Sequence, residues 1–586
     1  MKKILSVLLV TLLLLTACST KQEVPREDVE VSSEFSEYLD TLLVDFVSPT
    51  DFGINFILNK PEDYKFEPEL YEIGFTTEED LKESVSEAKE MIKELKKFSE
   101  SSLSNQQLLD RDVVIEYLED LIEMEPYYDY EYGSSMIGYQ RNTMSNFTST
   151  LESYQFRTKF DVDAYLNLLE TFPDAVQKYL DLELVRQKNG TGFGKEEIVE
   201  IIKVNTDTAQ QAKNSDYFLI AHFNDAISKL DFLTSEEKNA AIAKHKTLIS
   251  ENLAGAYQNV VDTLSQVDAS TSTGLANKPD GKKYYELLLQ QETGLKASIK
   301  DIEKVLNEEE AKVRKYMMFL SEKDYENMYS RYQERSFGNF TSGKELLSAI
   351  QNSYTEEFPK IDEPYYELRK VDESIAAASS PAFYYTPAID YNGSEPQIIY
   401  INGDFDNSLY TTYAHEGLPG HMYQFSYFMT LKDMHPIRSL VSHTSNAEGW
   451  ANYTERLAVK YVSDQAYADF YDMMETFTEL FHIKADIGIH YYGWNLTEFR
   501  ELLDTYFVGI DEETAQSIYT MIVHNPATYP TYYLSTIYIK NLKEKAQKEL
   551  DEKYSDVEFH EAFLSSGSAS FNVIEKEIEK YINSKK

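Results

Sequence analysis

The chain has 586 residues, with 56 Lys+Arg against 100 Asp+Glu and a net charge of −44. That balance excludes nucleic-acid binding, which needs a basic footprint to displace counterions, and suits a soluble surface protein. Length alone allows several domains, and 45 Tyr with 31 Phe imply that many rings line internal surfaces.

At the start, Lys2 and Lys3 precede an apolar run from Ile4 to Leu15, and Leu15-Thr16-Ala17-Cys18 follows. A basic start, an apolar stretch too short to span a bilayer comfortably, and small residues before a cut site read as a secretory signal over residues 1–18. The tetrapeptide resembles a bacterial lipobox, which implies that Cys18 is lipidated and heads the mature chain. Cys18 is the only cysteine, so no intramolecular disulfide can form and no thiolate is left for a metal. Residues 19–30 are polar and read as a tether. The expected location is therefore extracytoplasmic, lipid-anchored to the bacterial cell membrane.

Helical periodicity dominates residues 31–375, the N-terminal helical region. Apolar residues recur at three- and four-residue spacing over 78–98, 106–123, 161–186, 195–213 and 235–264, and the trend continues over 282–315. Lys188-Asn189-Gly190-Thr191-Gly192 and Asn277-Lys278-Pro279-Asp280-Gly281 mark breaks between helices. The Tyr-rich run from Tyr127 to Tyr139 lacks clear periodicity and reads as a loop packed on the body. Character changes near Pro381, and residues 376–586 read as the catalytic region. Ala382 to Pro387 and Gln397 to Asn402 are short, β-branched and aromatic, bounded by Pro, Asn and Gly. They predict strands, forming a small hairpin or sheet near the active-site helix. The second of them, as an edge strand, would pair with an extended peptide.

The next helix carries His415-Glu416-Gly417-Leu418-Pro419-Gly420-His421, and Glu448 follows in Asn446-Ala447-Glu448-Gly449-Trp450. Two imidazoles, an adjacent carboxylate and a downstream carboxylate are the parts of a zinc hydrolase: three ligands, an open position for water, and a base. The spacing departs from His-Glu-x-x-His, whose histidines share a helix face. Six residues apart, His415 and His421 fall on nearly opposite faces of a regular helix. Either the helix is interrupted or the two do not share a metal. Pro419, with no N–H and a ring that crowds the carbonyl of His415, and Gly420 favour interruption. Of ten histidines, seven lie between His415 and His524, which supports a site here. His435 and His443 fit better as surface or packed residues.

Asn452 and Glu455 follow Glu448 on one helical face and are candidates to orient it. His482, Asp486 and His490 recur at four-residue spacing, so the carboxylate can hold either imidazole. His524 precedes Tyr529, Tyr532 and Tyr533, and tyrosine hydroxyls or imidazole N–H groups are suitable donors to an oxyanion.

The series His-Glu-Gly-Leu-Pro-Gly-His-Met-Tyr-Gln, Glu-Gly-Trp-Ala-Asn-Tyr-Thr-Glu and Asp-Ile-Gly-Ile-His-Tyr-Tyr-Gly-Trp resembles the bacterial family called domain of unknown function 885. Members are similar to helical zinc peptidases of the gluzincin type, such as thimet oligopeptidase and thermostable carboxypeptidases. The likeness is strong over about the last two hundred residues and loose over the helical first half. It implies His415, His421 and Glu448 as zinc ligands and Glu416 as base. It further implies site roles for Asp486, His490 and Tyr532. Two departures are Met422, where members often have a second histidine, and His482, where they often have arginine.

The expectation is a mainly α protein with a deep channel between helical halves, acting as a zinc metallopeptidase on peptides. Glu416 would be the base, with His490 and Tyr532 as oxyanion donors. Asp486, Asn452, Glu455 and Tyr533 would support the site or touch substrate. Two alternatives are a zinc amidase acting on a non-peptide amide and a non-catalytic peptide-binding lipoprotein. Oligomeric state is not readable from the sequence.

Overall fold

The computed structural model describes residues 29–131, 136–138, 143–335, 337–354, 356–371, 376 and 380–586. Cys18 and most of the expected tether lie outside them. The protein is mainly α-helical, with one three-stranded sheet among the described residues. No helix among them is long and apolar enough to cross a membrane.

The periodic segments become helices whose starts are chemically marked. Thr77 and Asp80 open Glu78–Leu95, Ser104 and Gln107 open Asn105–Met124, and Thr158 and Asp161 open Lys159–Asn189. In each, the side chain of the first partner accepts from the N–H of the second, and the reverse contact closes the box. Lys195–Ala212 follows the expected course. The expected run over 235–264 is Ser235–Leu248 and Ala254–Leu264 joined by a π turn at Ile249–Leu253. The run over 282–315 is two helices, Gly281–Thr293 and Ile299–Phe319. Gly294 ends the first in the left-handed region at φ 62°, and the Ser298/Asp301 box starts the second. The Tyr-rich run is corrected in part: Tyr128–Glu131 is a helical turn. Residues 132–135 and 139 lie outside the described residues.

The sheet places the site. β1 (Tyr366–Lys370), β2 (Ala382–Tyr385) and β3 (Gln397–Ile401) lie in the order β1-β3-β2, with β2 antiparallel and β1 parallel to β3. The two expected strands do pair, but β3 is central, not an edge. A third strand, β1, covers its far side because Tyr366, Leu368 and neighbours supply the pairing that short-range pattern did not reveal. β1 and β2 are the two outer strands of the sheet.

The N-terminal helices and the C-terminal region are joined by buried polar contacts. Arg438 is fully buried and donates to Asp110 Oδ1 at 3.1 Å. Glu116 accepts from Ser570 and Asn572, and His435 Nε2 meets Asp40 Oδ1 at 3.2 Å.

Candidate metal centre

His415 is the penultimate residue of the helix Tyr410–Glu416, and His421 opens the next helix, His421–Phe428. Between them the backbone turns back on itself. The Gly420 N–H donates to the Ala414 carbonyl at 3.0 Å, and the Tyr423 N–H to the Gly417 carbonyl at 3.1 Å. Gly420 is required by this approach: a Cβ there would sit 1.9 Å from the His415 carbonyl oxygen. The fully buried Trp450 fixes the loop from the other side, donating from Nε1 to the Pro419 carbonyl at 2.9 Å. The helix is thus interrupted at Pro419 and Gly420, and the two imidazoles face each other with ring centroids 4.7 Å apart at 89°.

Glu448 comes from the helix Thr444–Val459. Its Oε2 lies 3.4 Å from His415 Nε2 and 3.6 Å from His421 Nε2. One ligand atom from each of the three falls within 4.8 Å of the others. These separations are longer than a charge-assisted hydrogen bond, about 2.7–2.9 Å. They fit a tetrahedral ion: bonds of about 2.1 Å at tetrahedral angles set ligand atoms about 3.4 Å apart. The fourth residue in contact, Glu455, is different. Its Oε2 is 3.1 Å from His415 Nδ1, a hydrogen bond that keeps the proton on Nδ1 and leaves the Nε2 lone pair facing Glu448 and His421. The donor set and its supporting carboxylate therefore fit zinc.

Electrostatics follow from this crowding. Burial opposes charge on His415, yet Glu448 and Glu455 hold its imidazolium well above the usual histidine range. Burial likewise opposes charge on Glu448, yet the two imidazoles hold it well below the usual carboxylate range. Burial pushes Glu416 above its ordinary value, an effect the two histidines reduce. Glu416 Oε2 accepts from the Tyr384 N–H at 2.7 Å, so this carboxylate stands at the outer edge of β2. The Asn402 N–H donates to the Pro381 carbonyl. By alternation, Ala382 and Tyr384 turn their backbone groups away from β3, toward the site.

His415, Glu416, His421, Glu448, Glu455 and Tyr384 border a cavity of about 1140 Å³. Its lining runs from Ser380 to Ser568, so among the described residues it belongs to the C-terminal region and does not lie between two helical halves. Asn452, Tyr532 and Tyr533 also line it. The Asn452 Nδ2 is buried without a hydrogen-bond partner. Tyr532 and Tyr533 belong to the helix Thr528–Leu550, which reaches Thr444–Val459 closely because Gly449 has no side chain. A Cβ on Gly449 would meet Ser535 Cβ at 2.6 Å.

Two expected site residues are placed elsewhere. His490 is fully buried, its Nδ1 accepts from the Leu275 N–H at 3.2 Å, and its Nε2 meets the Ile522 carbonyl at 2.9 Å. Both ring nitrogens are taken, and burial pulls its pKa down to about 4; it cannot serve as an oxyanion donor. Asp486 is fully buried beside it and accepts from Tyr285 Oη at 2.5 Å and the Ala527 N–H at 3.2 Å. A π turn at Gly488–Tyr492 follows Asp486 and carries His490. His482 stacks on Tyr529 at 4.5 Å and its Nδ1 bonds the Thr478 carbonyl. His435 is tied to Asp40 as a packed residue, and both it and His443 border the cavity. Sequence reasoning missed Tyr384 and Trp450, whose backbone and ring contacts with the motif span long stretches of chain.

The pattern of the family described as bacterial protein of unknown function (DUF885) matches residues 71–578. The chain belongs to that family. No curated protein matches it. Among solved structures, this DUF885 chain is similar to a candidate lipoprotein from Colwellia psychrerythraea, with a TM-score of 0.76 and 17% identity, over 94% of this chain and 99% of that one. A candidate lipoprotein of unknown function from Shewanella oneidensis has a TM-score of 0.60 and 17% identity, over the same 94% and 99%. At that identity the likeness establishes the DUF885 fold alone.

Proposed function

We propose that the protein is a zinc-dependent peptidase held outside the cytoplasmic membrane by a lipid on Cys18. The observation that carries the catalytic reading is the spacing of His415, His421 and Glu448, with Glu416 adjacent and Glu455 behind. A zinc ion held there would supply Lewis acidity to the scissile carbonyl and lower the pKa of water toward about 7. Glu416 takes the proton as the water oxygen adds to the carbonyl carbon, then delivers it to the amide nitrogen as the C–N bond breaks. The products are a carboxylic acid and an amine. Tyr532, on the cavity wall, is the proposed donor to the oxyanion. Glu455 keeps His415 in one tautomer throughout.

The open edge of β2 supports a peptide over a non-peptide amide. The carbonyls of Ala382 and Tyr384 and the N–H of Ala382 face outward beside Glu416, and an extended peptide can pair with them as an added strand. The lipobox at Leu15 to Cys18 supports the anchor, as do the candidate lipoproteins of the same fold.

The test is Glu416→Gln. The variant should bind zinc as the parent does and lose about 10³-fold or more in kcat on a peptide mixture. Retained turnover would remove Glu416 as base.

A further inference from the structure

The cavity has a second distinct surface, apolar and next to the triad. Phe425 stands four residues after His421, on the same face and about 6 Å further along that helix. Its ring centroid is 6.4 Å from that of Tyr384 and 6.3 Å from that of Tyr391, with tilts of 53° and 58°. Ile389 and Phe428 border the same cavity. Phe425 touches both tyrosine rings at a tilt, and all three residues line the cavity.

The polar groups nearby are turned to other tasks. Tyr384 Oη donates to Gln397 Oε1 at 2.5 Å, and Gln397 Nε2 in turn donates to Ser426 Oγ. Tyr391 Oη donates to the Glu395 carbonyl at 2.8 Å. The Asp390 carboxylate, next in chain, is taken by the N–H groups of Asn59 and Lys60. Ring surface is what remains for a ligand. A charged side chain entering here would lose its hydration, and the carboxylates beside this surface, Asp390 and Glu416, already accept from backbone N–H groups. Tyr384 also holds Glu416 through its N–H, so this surface and the base share one residue.

We propose that Tyr384, Tyr391, Phe425, Phe428 and Ile389 form the specificity subsite, which takes a bulky apolar side chain from the residue flanking the scissile bond. The proposal rests on the peptidase reading and deepens it: substrates are peptides with Phe, Leu or a similar residue beside the cut. Despite the strongly acidic chain, a cationic side chain is not the recognised feature. A pocket of this kind discriminates about 10- to 100-fold between a large and a small apolar side chain.

The experiment is digestion of a diverse peptide mixture by the zinc-loaded protein, with cleavage sites read by mass spectrometry. It is followed by kcat/KM on matched peptides bearing Phe or Ala at the enriched position. The parent should favour Phe by at least 10-fold. In Phe425→Ser that ratio should fall at least 10-fold, with zinc content as the control for folding. In Phe425→Trp, which fills the space, it should fall by more. A ratio unchanged in both variants, with rates lowered alike on all peptides, would make Phe425 a packing residue and overturn the subsite. Cleavage without apolar enrichment overturns the subsite alone. A zinc-loaded protein that cuts no peptide overturns the peptidase reading and the subsite with it.

Discussion

Asp486 and His490 do not line the cavity that holds the candidate metal ligands, and their chemistry is that of a buried structural contact. Burial pushes the Asp486 carboxyl up to about 7, although Tyr285 and Ala527 hydrogen-bond to it. An unfolded aspartate ionises near 3.9. Between those values the unfolded chain has released its proton and the folded chain has not, so native stability falls as pH rises from about 4 to 7. The loss is on the order of 4 kcal/mol once both states are ionised. Asp486→Asn copies the neutral acid. Its melting temperature relative to the parent should therefore be clearly higher at pH 8 than at pH 5. A constant offset would contradict a neutral Asp486. At this scale, Glu416 and the triad were legible because they occur in two short motifs. His490 was misassigned because a helical stripe tells which residues share a face, not which way that face turns.

The element that makes the site is the interrupted helix from Tyr410 to Phe428. Pro419 and Gly420 announce the break, but its outcome depends on contacts far off in sequence. Trp450 grips Pro419, Gly449 lets the tyrosine helix approach, and the open edge of β2 meets Glu416. Strand order was not legible, because β1 lies before the turn-rich segment and its parallel pairing with β3 leaves no local signature. Gly420→Ala tests the tight return. An added Cβ would clash with the carbonyls of His415 and Ala414. The loop must open, moving His421 from His415. We expect a fall of about 1–3 kcal/mol in urea unfolding and at least 10-fold weaker zinc affinity by competition with a chelator. A variant with parental zinc affinity would show that the close approach is not needed.

Across the whole molecule, the buried pair Arg438–Asp110 joins the N-terminal helices to the segment leading into the Glu448 helix. Burial pushes Asp110 up to about 6 even beside the guanidinium. Burial also holds Arg438 below its ordinary value. Such a pair contributes little net stability, but half of it is costly. Arg438→Leu should destabilise by about 3–5 kcal/mol in denaturant unfolding, and adding Asp110→Leu should recover much of that loss. Equal losses in the single and double variants would mean that packing, not an uncompensated charge, dominates. The mainly helical character and the helix starts were legible from periodicity and capping residues. The joining contacts were not, since they link positions hundreds of residues apart.

The peptidase reading depends on a zinc site built from two histidines six residues apart. Elemental analysis of the purified protein beside His421→Ala tests it most directly. The parent should hold about one zinc per chain, and the variant should lose it. A parent that takes up no zinc when supplied with it, or a variant that keeps a full equivalent, would contradict that site.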